Sequence, residues 1–138
     1  MGCAQMEKLP DYVAAKRRIA ATYSDAFEGV PGIKPMQEAA WAHSTFWMYT
    51  ILVDSEVFGT DSRGLLRLLD EARIQSRPLW QPLHHSKAFA NCGSFDCPVA
   101  DYLYSVALSL PCSVGVSDQD LQLVLAALVS SSSHSIRG

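Results

Sequence analysis

Ser44-Thr45-Phe46-Trp47-Met48-Tyr49-Thr50-Ile51-Leu52-Val53 is a run dense in aromatic and β-branched residues, and both of its alternating sets are largely apolar. That pattern predicts a central strand over 44–53, covered on both faces. Covering elements must come from the flanks. Upstream, Tyr12, Ala15, Ile19, Tyr23 and Phe27 recur at helical spacing, with Lys16-Arg17-Arg18 between them and Gly29 as a stop. Residues 11–28 therefore read as one amphipathic helix, with the basic run on its solvated face. Pro10 fits the first turn of that helix and would kink any helix arriving from residues 2–9. Downstream, Asp61-Ser62 offers a cap before Leu65, Leu66, Leu68 and Leu69, giving a helix over 62–74 and then a short strand over 76–80. Residues 82–95 carry Pro, Gly, Asn, Ser and two adjacent histidines without period, the signature of a loop. Pro98 opens a helix over 98–107, and Leu108-Ser109-Leu110-Pro111 reads as a short edge strand ended by proline. Ser117-Asp118-Gln119-Asp120 resembles a capping box ahead of a helix over 118–129, with Leu121, Val124, Leu125 and Leu128 on one face. Ser130 to Ser133 should fray, and a flexible tail is expected over 131–138. The order gives three or four short strands in an antiparallel or mixed sheet packed with helices, an α+β fold in a single domain.

Composition narrows the function classes. The 138 residues hold 11 Lys+Arg against 14 Asp+Glu, a net charge of −3, so no broad basic surface exists to neutralise phosphates and no nucleic-acid partner is expected. A 49% hydrophobic content can build a core, yet no apolar run is long enough to span a bilayer, and no membrane association is expected. Met6 stands where a myristoylation signal wants Ser or Thr, so the start Met1-Gly2-Cys3 is not read as a lipid anchor. Cys3, Cys92, Cys97 and Cys112 form no CxxC pair, which points to reduced thiols in a cytoplasm, packed as small hydrophobes.

Chemistry-bearing residues concentrate around the predicted loop. His84 and His85 share it with Cys92 and Cys97, but neighbours on an extended segment point apart and the cysteine spacing exceeds a zinc knuckle, so no metal site is expected. No feature selects a Cys–His nucleophilic pair. Arg77-Pro78-Leu79-Trp80-Gln81-Pro82-Leu83-His84 places a guanidinium, an indole and an imidazole where a strand runs into irregular chain. Such a set suits a phosphate or sugar ligand. A structural alternative stays open, with Trp80 in the core and Arg77 paired to a helix carboxylate such as Glu71. Trp41, Trp47 and Tyr49 are expected in the core.

Several blocks agree with a known pattern. Gly2-Cys3-Ala4-Gln5-Met6-Glu7-Lys8-Leu9 with Lys16-Arg17-Arg18-Ile19 and Tyr23 resembles a helix of the DegT/DnrJ/EryC1/StrS family of pyridoxal-phosphate (PLP)-dependent nucleotide-sugar aminotransferases. Phe46 to Val53, Phe58-Gly59, Arg77-Pro78 with Pro82-Leu83-His84, Pro98-Val99-Ala100, and Ser109-Leu110-Pro111 before Ser117-Asp118-Gln119-Asp120 are similar to the C-terminal part of that family. Order and spacing resemble perosamine-synthetase-like members. The resemblance implies that residues 1–130 form the small C-terminal domain of a fold-type I aminotransferase. It departs at His84-His85-Ser86-Lys87, where relatives usually continue with a short polar residue and proline, and at Arg73, where a glycine is common.

The same resemblance implies what the chain does not supply. In the family the Schiff-base lysine and the acid that pairs with the pyridine nitrogen lie upstream of the stretch matched by Gly2. None of Lys8, Lys16, Lys34 and Lys87 falls at the matching position. The expectation is a detached or truncated domain with no catalytic residue and no cofactor of its own, PLP entering only if a large domain is supplied. Arg77, Trp80 and His84 would remain as a vestigial substrate-side wall. A surface shaped for a large domain would seek another partner: a second copy of the chain or a full-length aminotransferase.

Overall fold

The structure, a computed structural model, describes residues 2–132. Helix α1 (Gly2–Phe27) leads into strand β1 (Ile33–Pro35), strand β2 (Tyr49–Val53), the short helix α2 (Ser55–Phe58) and helix α3 (Ser62–Glu71). Strand β3 (Arg77–Pro78) follows, then 3₁₀ turns at Leu83–His85 and Lys87–Phe89, helix α4 (Pro98–Val106), strand β4 (Ala107–Leu110) and helix α5 (Asp118–Ser132). The four strands form one antiparallel sheet in the order β1-β2-β4-β3. The fold is α+β, as the element order implies.

One face of the sheet carries the core. Tyr49, Ile51 and Val53 of β2 and Leu108 and Leu110 of β4 are buried against Ile19, Tyr23 and Phe27 of α1, Leu65 and Leu69 of α3, and Leu121, Val124 and Leu128 of α5. Each such side chain stabilises the fold by roughly 1.5–3 kcal/mol relative to exposure. Tyr23 stacks on Tyr49 with ring centroids 4.9 Å apart and donates its hydroxyl hydrogen to the Pro111 carbonyl at 2.8 Å. Both predicted caps form. The Gly64 N–H donates to Asp61 Oδ1 at 2.6 Å, and Ser117 and Asp120 exchange reciprocal bonds at 3.0 and 3.1 Å that start α5.

The elements differ from the sequence reading in instructive places. The first helix begins at Gly2, not 11, and passes through Pro10. Proline removes the bond to the Met6 carbonyl, but Met6 is 65% exposed, so water can satisfy that oxygen. The central strand is only 49–53, and its second face is not closed: Thr50 and Leu52 stay half-buried. Helix 62–74 stops at Glu71, where Arg73 turns left-handed with φ +60°. The 76–80 strand shrinks to two residues, because Pro78 has no N–H to extend the ladder. Residues 107–110 form an interior strand, not an edge, with β2 on one side and β3 on the other. Helix 98–107 ends one residue early, and α5 runs on through Ser132. Of the tail expected over 131–138, the first two residues therefore belong to α5 and 133–138 lie outside the described residues, as does Met1.

The basic run is not a solvated face. Lys16 and Arg17 hold the connection between β1 and β2, and the strand expected from 44 starts only at Tyr49, after the carbonyls they bind. Lys16 Nζ donates to the Trp47 carbonyl at 2.9 Å. Arg17 donates to both carboxylate oxygens of Glu38, at 2.9 and 3.0 Å, and to the Ser44 carbonyl at 2.7 Å. Its guanidinium lies 5.4 Å from the Phe46 ring centroid, and Phe46 takes φ +46°. Only Arg18 follows expectation, pairing at the surface with Asp118. The tryptophans lie outside the core: Trp41 is 91% and Trp47 67% exposed, and only Tyr49 of the expected three is buried.

The Arg17 fork and the Ser44 N–H lower the Glu38 carboxyl from its usual 4.5 to about 2. A lowered folded-state value stabilises the fold fully above the unfolded value, and that contribution is lost as pH falls through 4.5 toward 2. Glu38→Gln should thus have a lower urea midpoint than the parent at pH 7, with the gap closing as pH falls toward 2. A gap that is constant with pH would show that the Glu38 charge contributes nothing.

Candidate functional site

The half-open face of the sheet and the β3 edge carry the candidate residues. Arg77 sits on β3 opposite Ser109, exposed, and lines a cavity of about 610 Å³ with Arg73, Cys112, Asp120 and Val124. No Arg77–Glu71 ion pair is found among the described residues. Trp80 does not enter the core: it is 69% exposed and stacks on Trp47, with centroids 5.7 Å apart and planes 20° from parallel. The structural alternative for this pair is therefore not realised. Beside it, Leu79, Leu52, Leu103 and Phe46 line a second cavity of about 360 Å³ over the open sheet face.

His84 lies further along. The stretch 83–85 is not extended but a 3₁₀ turn, which advances about 120° per residue instead of a strand's 180°. That rotation brings both histidines onto Asp101, in the first turn of α4. His84 Nε2 is 2.7 Å and His85 Nε2 3.1 Å from the same Asp101 Oδ1, and the rings meet edge to face with centroids 4.4 Å apart. The expectation that the two side chains point apart is overturned, because it assumed a strand. His84 also borders a third cavity of about 360 Å³ with Phe89, Cys92, Phe95 and Cys97. Arg77 and His84 thus face different cavities.

Three of the four cysteines are not small core residues; Cys112 packs against the edge of the core. Cys3, Cys92 and Cys97 are exposed free thiols, and only Cys112 is half-buried, donating to the Trp47 carbonyl at 3.4 Å. Cys3 lies on the uncovered leading half of α1, and Cys92 and Cys97 lie on the exposed connection before α4. The residues that sequence reasoning missed are Lys16, Arg17 and Asp101. Lys16 had a signal: it lies four and seven residues before Ala20 and Tyr23, on the buried face of the helix. Asp101 had none, since its partners are 16 and 17 residues away.

The residues present do not make a PLP site. A Schiff base needs a lysine amine in a sheltered pocket. Lys16 is committed to Trp47 and Cys112, Lys8 lies 3.9 Å from Asp11 on the helix surface, and Lys34 and Lys87 are exposed. Among the described residues, none of the three cavities is lined by a lysine.

Among the described residues, no helix is long and apolar enough to cross a membrane. The profile of the DegT/DnrJ/EryC1/StrS aminotransferase family matches residues 1–129. GDP-perosamine synthase of Caulobacter vibrioides is 30% identical across 93% of this chain and 34% of its own length. The spore coat polysaccharide biosynthesis protein SpsC of Bacillus subtilis is 31% identical, again over 93% of this chain and 34% of its own length. The chain spans about a third of the length of these curated relatives. Among solved structures, the aminotransferase TlmJ of Streptoalloteichus hindustanus superposes with a TM-score of 0.85 at 22% identity, over 96% of this chain and 35% of that one. Helicobacter pylori PseC, an aminotransferase of pseudoaminic acid biosynthesis, gives a TM-score of 0.85 at 20% identity, over 96% of this chain and 36% of that one. With one family profile running across nearly all of the sheet and its helices, this chain belongs to the DegT/DnrJ/EryC1/StrS aminotransferase family.

Proposed function

We propose that the chain forms the small domain of a PLP-dependent nucleotide-sugar aminotransferase, supplying part of the substrate-side wall and no covalent chemistry of its own. The carrying observation is the family match over residues 1–129 on a stretch whose cavities hold no lysine among the described residues. PLP, when bound in such an enzyme, supplies the electron sink for amino transfer. This chain's own residues do simpler work. Exposed Arg77 offers a planar fork to a phosphate oxygen. The Trp80–Trp47 pair offers an apolar face against which a sugar or base can lie. His84 is oriented by Asp101 at 2.7 Å. The exposed thiols and the mild acidic balance fit a cytoplasmic protein without nucleic-acid partners.

Equimolar PLP added to the chain should give the spectrum of free cofactor, and borohydride reduction should leave no stoichiometric adduct on any single lysine by mass spectrometry. An aldimine band abolished by substitution of one lysine would contradict the reading.

A second reading, self-association or docking onto a full-length aminotransferase, is favoured by one observation. Met6, Leu9 and Tyr12 are 65%, 44% and 44% exposed on the leading half of α1, where an apolar stripe has no cover. Light scattering should show a mass that rises above 15.1 kDa with concentration. A mass fixed at the monomer value up to millimolar concentration contradicts self-association.

A further inference from the structure

The cluster of His84, His85 and Asp101 does more than a substrate wall requires. Its three donors come from two elements, the 83–85 turn and the first turn of α4, and their ligand atoms all lie within 4.8 Å of one another. Asp101 Oδ1 sits between the two imidazoles, 2.7 and 3.1 Å from their Nε2 atoms. We propose that this cluster is a surface site for a divalent cation of the zinc class, bound by His84 Nε2, His85 Nε2 and Asp101, with a fourth position open to water or another oxygen.

The donor set fits that ion class. Two imidazole nitrogens and one carboxylate oxygen suit zinc and its neighbours and do not suit magnesium or calcium, which want oxygen cages. Metal bonds of about 2.0–2.2 Å in a tetrahedron separate ligand atoms by roughly 3.3–3.5 Å, so both imidazole nitrogens must draw back from Asp101 Oδ1, that of His84 by the larger step. The side chains have that freedom: His85 and Asp101 are 41% and 40% exposed, so both can shift without disturbing the core. Binding replaces the hydrogen bonds now made to Asp101 and requires each imidazole to carry its proton on Nδ1. The His85 ring also rests edge-on against Tyr104, with centroids 6.1 Å apart, which limits how far it can swing away. A bound ion ties the 83–85 turn to α4 across the base of the exposed stretch 86–97. In structural terms it is a clip on that stretch, separate from the Arg77 cavity.

The test is titration of the whole chain with Zn²⁺ against a chromophoric chelator, followed by the visible spectrum of the Co²⁺ form, with thiols first blocked and then free. One ion per chain should bind, with a Co²⁺ spectrum of nitrogen and oxygen ligation that blocking leaves unchanged. Affinity should fall at least tenfold in His84→Ala, in His85→Ala and in Asp101→Asn, with circular dichroism confirming that each variant is folded. Absence of saturable binding overturns the proposal. So does binding that survives both histidine substitutions, or a thiolate-to-cobalt band, which would place the ion on the exposed cysteines instead.

Discussion

Tyr23 is the residue on which the rest of the structure depends, because one side chain joins three parts of the fold. Its ring stacks between Phe27 and Tyr49, with centroids at 6.0 and 4.9 Å, and its hydroxyl reaches the Pro111 carbonyl just beyond β4. It is fully buried, and that burial pushes its phenol well above the usual range, so the hydroxyl stays a donor. The long first helix is thereby set against the two interior strands. Antiparallel pairing of β2 with β4 then places Leu108 and Leu110 in the same layer as Ile51 and Tyr49. Helices α3 and α5 complete that layer. The result is one well-filled face and one that remains partly open.

The shape of the open face is set by polar contacts. The Lys16 and Arg17 clasp fixes the 36–48 connection, presents Trp47 to solvent and gives Trp80 its stacking partner. A half-covered sheet face and an uncovered leading half of α1 are costly surfaces for a domain standing alone. They make sense in a unit that spans about a third of its relatives' length. Among the described residues, none of the three cavities is lined by a lysine.

Much of this was legible in the sequence. Helical apolar patterns located α1, α3 and α5, and short cap motifs at Asp61 and Ser117 located the starts of α3 and α5, because both signals are local; the start of α1 was missed. Family blocks such as Arg77-Pro78 and Pro82-Leu83-His84 gave the right family, and the profile match over 1–129 bears that out. The other misses are contacts between distant residues. Residues 44–48 have strand composition, yet cations 27 and 31 residues upstream capture the Ser44 and Trp47 carbonyls. Leu108-Ser109-Leu110 looked like an edge because proline follows it, although pairing with β3 places it inside the sheet. The two histidines converge only because a 3₁₀ turn replaces an extended segment, and adjacent residues cannot reveal that without the turn.

Native-state hydrogen exchange resolved by residue tests most directly the claim that the β2–β4 pair under Tyr23 organises the fold. The amides of the ladder between Tyr49–Val53 and Ala107–Leu110 should be the slowest, exchanging only through global unfolding, while the β3 edge exchanges much faster. Rapid exchange along 107–110, at the rate of β3 and with the slowest amides confined to helices, would contradict the account.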